Sequence, residues 1–179
     1  MLTIVFPPLM SEIGGGQIVA VEGIDDPTAR LLDQTCGTDY LQHCDGGGER
    51  LIAGRVQYGN KAWNTTTVRS SLKSGSATEE HKLRRAIREQ QIRPHMHVQA
   101  YVSGTENHPG KLLAAAAVWT SDLMEMVDAE QCTVRTNPKD GTCFKVVTWD
   151  DLEERGAQVT RIGPSAWPLS GNSTARVAA

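Results

Sequence analysis

The sequence predicts an α/β or α+β fold, with a mixed central sheet that contains an antiparallel meander and is flanked by helices. Three observations carry this. Short β-rich runs bounded by turn residues recur along the chain, EEHKLRRAIREQQ has the period and flanks of a helix, and the overall order reads β β α β β β α β β α β β α without internal repeat.

LTIVF and QIVAVEG read as strands separated by Pro7, Pro8 and Gly14 to Gly16. DDPTARLLDQTC follows as a helix, with Asp26 at the N-cap, Pro27 at the first helical position and Gly37 as the stop. TDYLQHC and RLIAGRVQY form a hairpin across DGGGE, and WNTTTVRSS, rich in β-branched threonine, adds a third antiparallel strand to make the meander. Ser76 and Glu79 form an S-x-x-E capping box opening the helix EEHKLRRAIREQQ, which Pro94 ends. HMHVQAYV and LLAAAAVW are strands, although the alanines of the second also suit a helix. SDLMEMVDAEQ is an amphipathic helix, CTVRT and FKVVTW are strands around NPKDG, and DDLEERG is a last helical turn anchored by Trp149 and Leu152.

A chain of 179 residues can bury a core without disulfides or a structural metal. We expect one globular domain at 1–162 and a loosely ordered tail at 163–179, where Pro, Ser, Gly and Ala accumulate. No apolar run approaches the roughly 20 residues that span a bilayer, and MLTIVFPPLM lacks a basic leader, so the expectation is a cytoplasmic protein without membrane contact. Cys36, Cys44, Cys132 and Cys143 include no CxxC pair and read as buried free thiols.

Charge is unevenly spread. The net charge is −3, yet residues 1–49 carry one Lys/Arg against eight Asp/Glu, residues 50–93 carry ten against three, and residues 94–179 carry seven against ten. The basic island either presents a positive field to a polyanion or pairs with the acidic segment inside the fold.

A hairpin centred near Gly47 sets Asp39 opposite Arg55, with Gln57 its diagonal neighbour on the same face. A second connection centred near Lys61 adds Thr65, Thr67 and Arg69 to that face. A slip of one residue in either register would scatter the set.

Helix end, Asp-bearing strand, second strand, further sheet and a charged helix resemble, in that order, the core of the PD-(D/E)XK nuclease superfamily over roughly residues 17–104. The resemblance implies a Mg²⁺-dependent site in which Asp39 is the metal-binding aspartate and Asp33 the helical acid. The family pattern asks for an acid at position 55 and a lysine at 57, where this chain has Arg55 and Gln57, so Glu79 and Lys82 stand as substitutes. With Arg55 beside Asp39, an ion pair competes with the metal.

The expected activity is therefore that of a nucleic-acid-acting protein, either a divergent Mg²⁺-dependent phosphodiesterase or a degenerate relative that only binds. In the active version Asp39, Gln57, Glu79 and Lys82 serve catalysis, and Asp33, Asp39 and Glu79 hold the metal. Arg55, Arg69, Lys73, Arg84, Arg85 and Arg88 would contact the nucleic acid. Plainer roles stand beside these: Glu79 as a capping residue, the basic side chains as a solvated helix face, and Asp39 with Arg55 as a cross-strand pair.

His95 and His97, two apart in a strand, could begin a metal site or be satisfied histidines. Of the tryptophans Trp63, Trp119 and Trp167, only Trp63 lies in the basic island, where it could stack a base. Neither a Walker-type loop nor G-x-S-x-G is present. The alternative function is a non-enzymatic interaction protein that binds a basic protein partner through its acidic surface; self-association is left open.

Overall fold

The computed structural model describes residues 1–24, 27 and 31–163. Nine strands form two sheets among these residues. β1 (Gln17–Ala20), β2 (Tyr40–His43), β3 (Glu49–Tyr58), β5 (Met96–Gly104), β6 (Pro109–Trp119) and β9 (Val159–Ile162) make a six-stranded sheet in the order β1-β2-β3-β5-β6-β9. β4 (Thr65–Ser71), β7 (Thr133–Thr136) and β8 (Cys143–Thr148) make a second sheet in the order β4-β8-β7. Among the described residues, the α-helices with both ends described are α1 (Phe6–Leu9), α2 (Glu79–Arg88), α3 (Thr120–Asp128) and α4 (Trp149–Glu154). The expected mixed sheet with flanking helices is the architecture found.

β1, β2 and β3 form an antiparallel meander, whereas β3 and β5 run parallel. A parallel pair needs a crossover longer than a hairpin, and this one carries β4 and α2. β4 therefore leaves the main sheet and pairs antiparallel with β8, so the third meander strand is β1 and not WNTTTVRSS.

The central strands are covered on both faces. On one face Ile52, Val98, Ala100, Ala115 and Ala117 pack with Val5, Phe6, Leu9 and Ile13. On the other Tyr101, Ala114, Ala116 and Val118 meet Val68, Leu83, Leu123, Val147, Trp149 and Leu152. A strand buried on both faces reads as a continuous apolar run rather than an alternating one, which is why the alanines of LLAAAAVW serve in a strand. Trp149 and Leu152 anchor α4 as expected, 2% and 0% exposed.

Several local expectations are corrected. LTIVF is no strand: it runs through turns into α1, with Pro7 and Pro8 in the first helical turn, where their missing N–H groups cost nothing. The cap of α2 is Thr78, whose hydroxyl accepts from His81 N–H at 3.5 Å, so the S-x-x-E box does not form. That helix ends at Arg88, with Gln90 at φ 53°, before Pro94 is reached. β9 forms in a segment to which the sequence assigned no element. Leu32–Cys36 forms a π-helical turn that Gly37 stops at φ 69°. The proposed cap at Asp26 and the tail from residue 164 lie outside the described residues. All four cysteines are free, but only Cys36 is buried.

Candidate functional site

The polar row grows from the face of the main sheet that looks toward β4 and α2. The ladder pairs Tyr40 with Ile52, so Asp39 comes level with Ala53 and not with Arg55. The hairpin is thus displaced by two residues from the expected register. Because side chains alternate with period 2, Asp39 and Arg55 still share one face. The parallel ladder then sets Ala53 beside His97, Arg55 beside Gln99 and Gln57 beside Tyr101.

Asp39 Oδ2 accepts the Gly54 N–H at 2.6 Å. Burial is the chief reason its carboxyl is raised to about 6; the Gly54 hydrogen bond opposes it, Glu79 and Asp33 add to it, and Arg55 lowers it. Asp39 can therefore hold or release a proton close to neutral pH.

Glu79 occupies the first position of α2, and its side chain turns to the sheet. Oε2 receives Arg55 at 2.6 Å and the Arg69 backbone N–H at 3.1 Å, while Oε1 lies 3.4 Å from His97 Nδ1. The Arg55 guanidinium also stacks 5.2 Å from the Phe144 ring centroid. The Arg55 and Glu79 side chains are 25% and 18% exposed, so the pair is shielded but reachable. Behind it Thr67 donates to Gln99 Oε1 at 3.0 Å, and the hydroxyls of Thr65 and Tyr101 meet at 2.7 Å. Burial pushes the His97 imidazole down and keeps it neutral, against the pull of Glu79.

Asp39, Arg55 and Glu79 are therefore brought together, and Asp33 lies close enough for its charge to act on Asp39. Lys82 donates to the Asp33 backbone carbonyl at 3.3 Å, not to a carboxylate. Gln57 stands exposed one step further along β3. Arg69, Lys73, Arg85 and Arg88 are exposed, with Arg88 held by Glu89 at 3.1 Å. Arg84 is committed elsewhere, to Glu80 at 2.8 Å and to Asp128. Glu80 also takes Lys145 at 2.8 Å; burial would raise its carboxyl, yet these two partners together hold it below the usual range.

The sequence reading missed Gln99 and Phe144, and named His97 without its neighbour Glu79. His95 accepts the Leu51 N–H on Nδ1 at 2.9 Å, whereas His97 faces Glu79. Only the parallel β3–β5 pairing, with two ladders and a crossover between them, reveals the second half of the row.

Mg²⁺ asks for oxygen ligands free to approach it in near-octahedral array. Glu79 Oε2 is engaged by Arg55 and the Arg69 N–H, Oε1 lies 3.4 Å from His97, and no group of three or more His, Cys, Asp or Glu side chains is placed to hold a metal among the described residues. In this arrangement the residues do not fit the ion. What the row offers is a fixed guanidinium next to a carboxyl that titrates near neutrality. No helix among the described residues is long and apolar enough to cross a membrane. Comparison with known proteins finds no matching family model, no matching curated protein and no matching solved structure.

Proposed function

We propose that this chain is a nucleic-acid-binding protein on a nuclease-like core, in which an arginine has neutralised the acidic site and left a phosphate-binding face. The observation that carries the reading is the Arg55–Glu79 ion pair set beside Asp39. The likeness to the nuclease core draws support from the β2–β3 hairpin followed by a crossover through α2 into parallel β5. The exposed Arg69, Lys73 and Arg85, with Lys82, lie on β4, on its turn into α2 and on α2 itself, close in sequence to Glu79. Such a cluster draws phosphate through charge and counterion release even on a chain of net charge −3. A cytoplasmic setting accords with four cysteines that form no disulfide.

The test is retention of single- and double-stranded DNA and RNA by the purified protein across stepped salt, with Mg²⁺, Mn²⁺ or EDTA, beside Asp39→Ala. Salt-dependent retention that ignores the metal is the expected result. Metal-dependent cleavage abolished by Asp39→Ala would replace it with the phosphodiesterase version, in which the Arg55–Glu79 pair must open. Absence of retention at low salt would leave the interaction protein that binds a basic partner.

A further inference from the structure

Trp63 lies in the link between β3 and β4, inside the basic island, and its side chain is out of the core. It is 56% exposed, although the Lys61 ammonium already sits 4.1 Å from its ring centroid. This exposure does not come from a slack loop. The preceding residue, Ala62, is buried in the core between the sheets, 7% exposed. The following residue, Asn64, gives its carbonyl to the Trp149 N–H at 2.9 Å and is held at φ 52°, a left-handed conformation uncommon for a residue other than glycine. The backbone is thus fixed on both sides of an indole that faces water.

Leaving a tryptophan in water forgoes the largest apolar burial any side chain can supply. A rigidly presented indole with a cation on its ring has the make-up of a base-stacking platform, in which the ring takes the π-face of a base and the ammonium a neighbouring phosphate. From Trp63, β4 leads back to the polar row: Thr65 meets Tyr101, Thr67 meets Gln99, and the Arg69 N–H meets Glu79. At about 3.3 Å per residue, positions 63 to 69 span at most about 20 Å, within the reach of a short single strand.

We infer that Trp63 and Lys61 form a stacking site for an unpaired base, which makes single-stranded nucleic acid the preferred ligand. The inference rests on the nucleic-acid reading above and adds to it the form of the strand. A base inside a duplex is already stacked on its neighbours and cannot use an indole in this way.

The test is a titration of full-length protein, Trp63→Phe and Trp63→Ala with an oligothymidylate and with a duplex of the same length. Tryptophan fluorescence and anisotropy are followed together, and thermal unfolding is recorded for each variant. Trp63→Ala is expected to lose about tenfold in affinity for the single strand while its duplex affinity and salt slope stay unchanged. Trp63→Phe should keep most of the affinity but lose the fluorescence quench. Equal single-strand affinity in wild type and Trp63→Ala, or equal losses for both ligands, would overturn the stacking site and leave the binding reading intact. Absence of binding to either ligand by the wild type would overturn both.

Discussion

Arg55 and Glu79, 24 residues apart in the chain, close a 2.6 Å ion pair between β3 and the first turn of α2. The same Glu79 oxygen takes the Arg69 N–H, and its other oxygen faces His97. One carboxylate thereby ties together the main sheet, the strand that left it and the helix between them. Its removal leaves a shielded guanidinium and a backbone N–H without their acceptor, so Glu79→Ala is expected to cost about 2–3 kcal/mol of stability. Arg55→Met with Glu79→Gln should cost less than Glu79→Ala alone. Urea unfolding of the two variants checks this; equal stability of Glu79→Ala and wild type would show the pair to be a surface contact.

The raised carboxyl of Asp39 gives a signed pH dependence. Its ordinary value of 3.8 becomes about 6 in the fold, so the folded state binds the proton more tightly than the unfolded chain. The stability this contributes is fully present below about pH 4 and is lost as pH rises through 6. Asp39→Asn, which keeps an acceptor for the Gly54 N–H, should gain on the wild type between pH 4 and pH 7, by roughly 2 kcal/mol after allowance for partial exposure. Guanidine unfolding across that range is the measurement, and a flat difference would place the titration elsewhere. Polyanion retention should also strengthen from pH 7 to pH 5, as the charge next to Arg55 disappears.

The cap of α2 separates two neighbouring hydroxyls. Thr78 accepts from the His81 N–H and is buried, whereas Ser76 hydrogen-bonds only locally, with Ser74. Thr78→Ala should lose about 1 kcal/mol and Ser76→Ala close to nothing. Thermal melts of the two variants decide between this cap and the S-x-x-E box.

Adjacent arginines on α2 should behave differently. Arg84 is bound to Glu80 and Asp128, and Arg85 is exposed. Arg85→Ala should lower the slope of log affinity against log salt by about 1 without changing stability. Arg84→Ala should leave the slope alone and lower stability by up to about 1 kcal/mol. Salt-stepped binding and urea unfolding of both variants separate the two roles.

Local grammar made most elements legible. The hairpin across DGGGE, Gly37 as a helix stop, the α2 helix and the anchoring of Trp149 all follow from turn chemistry and hydrophobic period, and all are found. LTIVF misled because four apolar residues before two prolines fit a strand start as well as a helix N-terminus. β9 was hidden because VTRI is only four residues long and carries Arg161, whose charge is met by Asp150 and Glu153 of α4.

The sequence by itself determined the class of the fold and half of the polar row. Alternation places Asp39 and Arg55 on one face for any even displacement of the hairpin, and the displacement found is two. The tertiary structure decided what faces that half. His97 and Gln99 come level with Ala53 and Arg55 only through a parallel pairing, and β4 reaches them from a second sheet. Such non-local pairings have no period to announce them, since they are fixed by which arrangement of sheets and helices buries both faces of β5. Whether Glu79 would cap its helix or bind Arg55 was settled the same way, by the Arg55 side chain reaching from β3 to the first turn of α2.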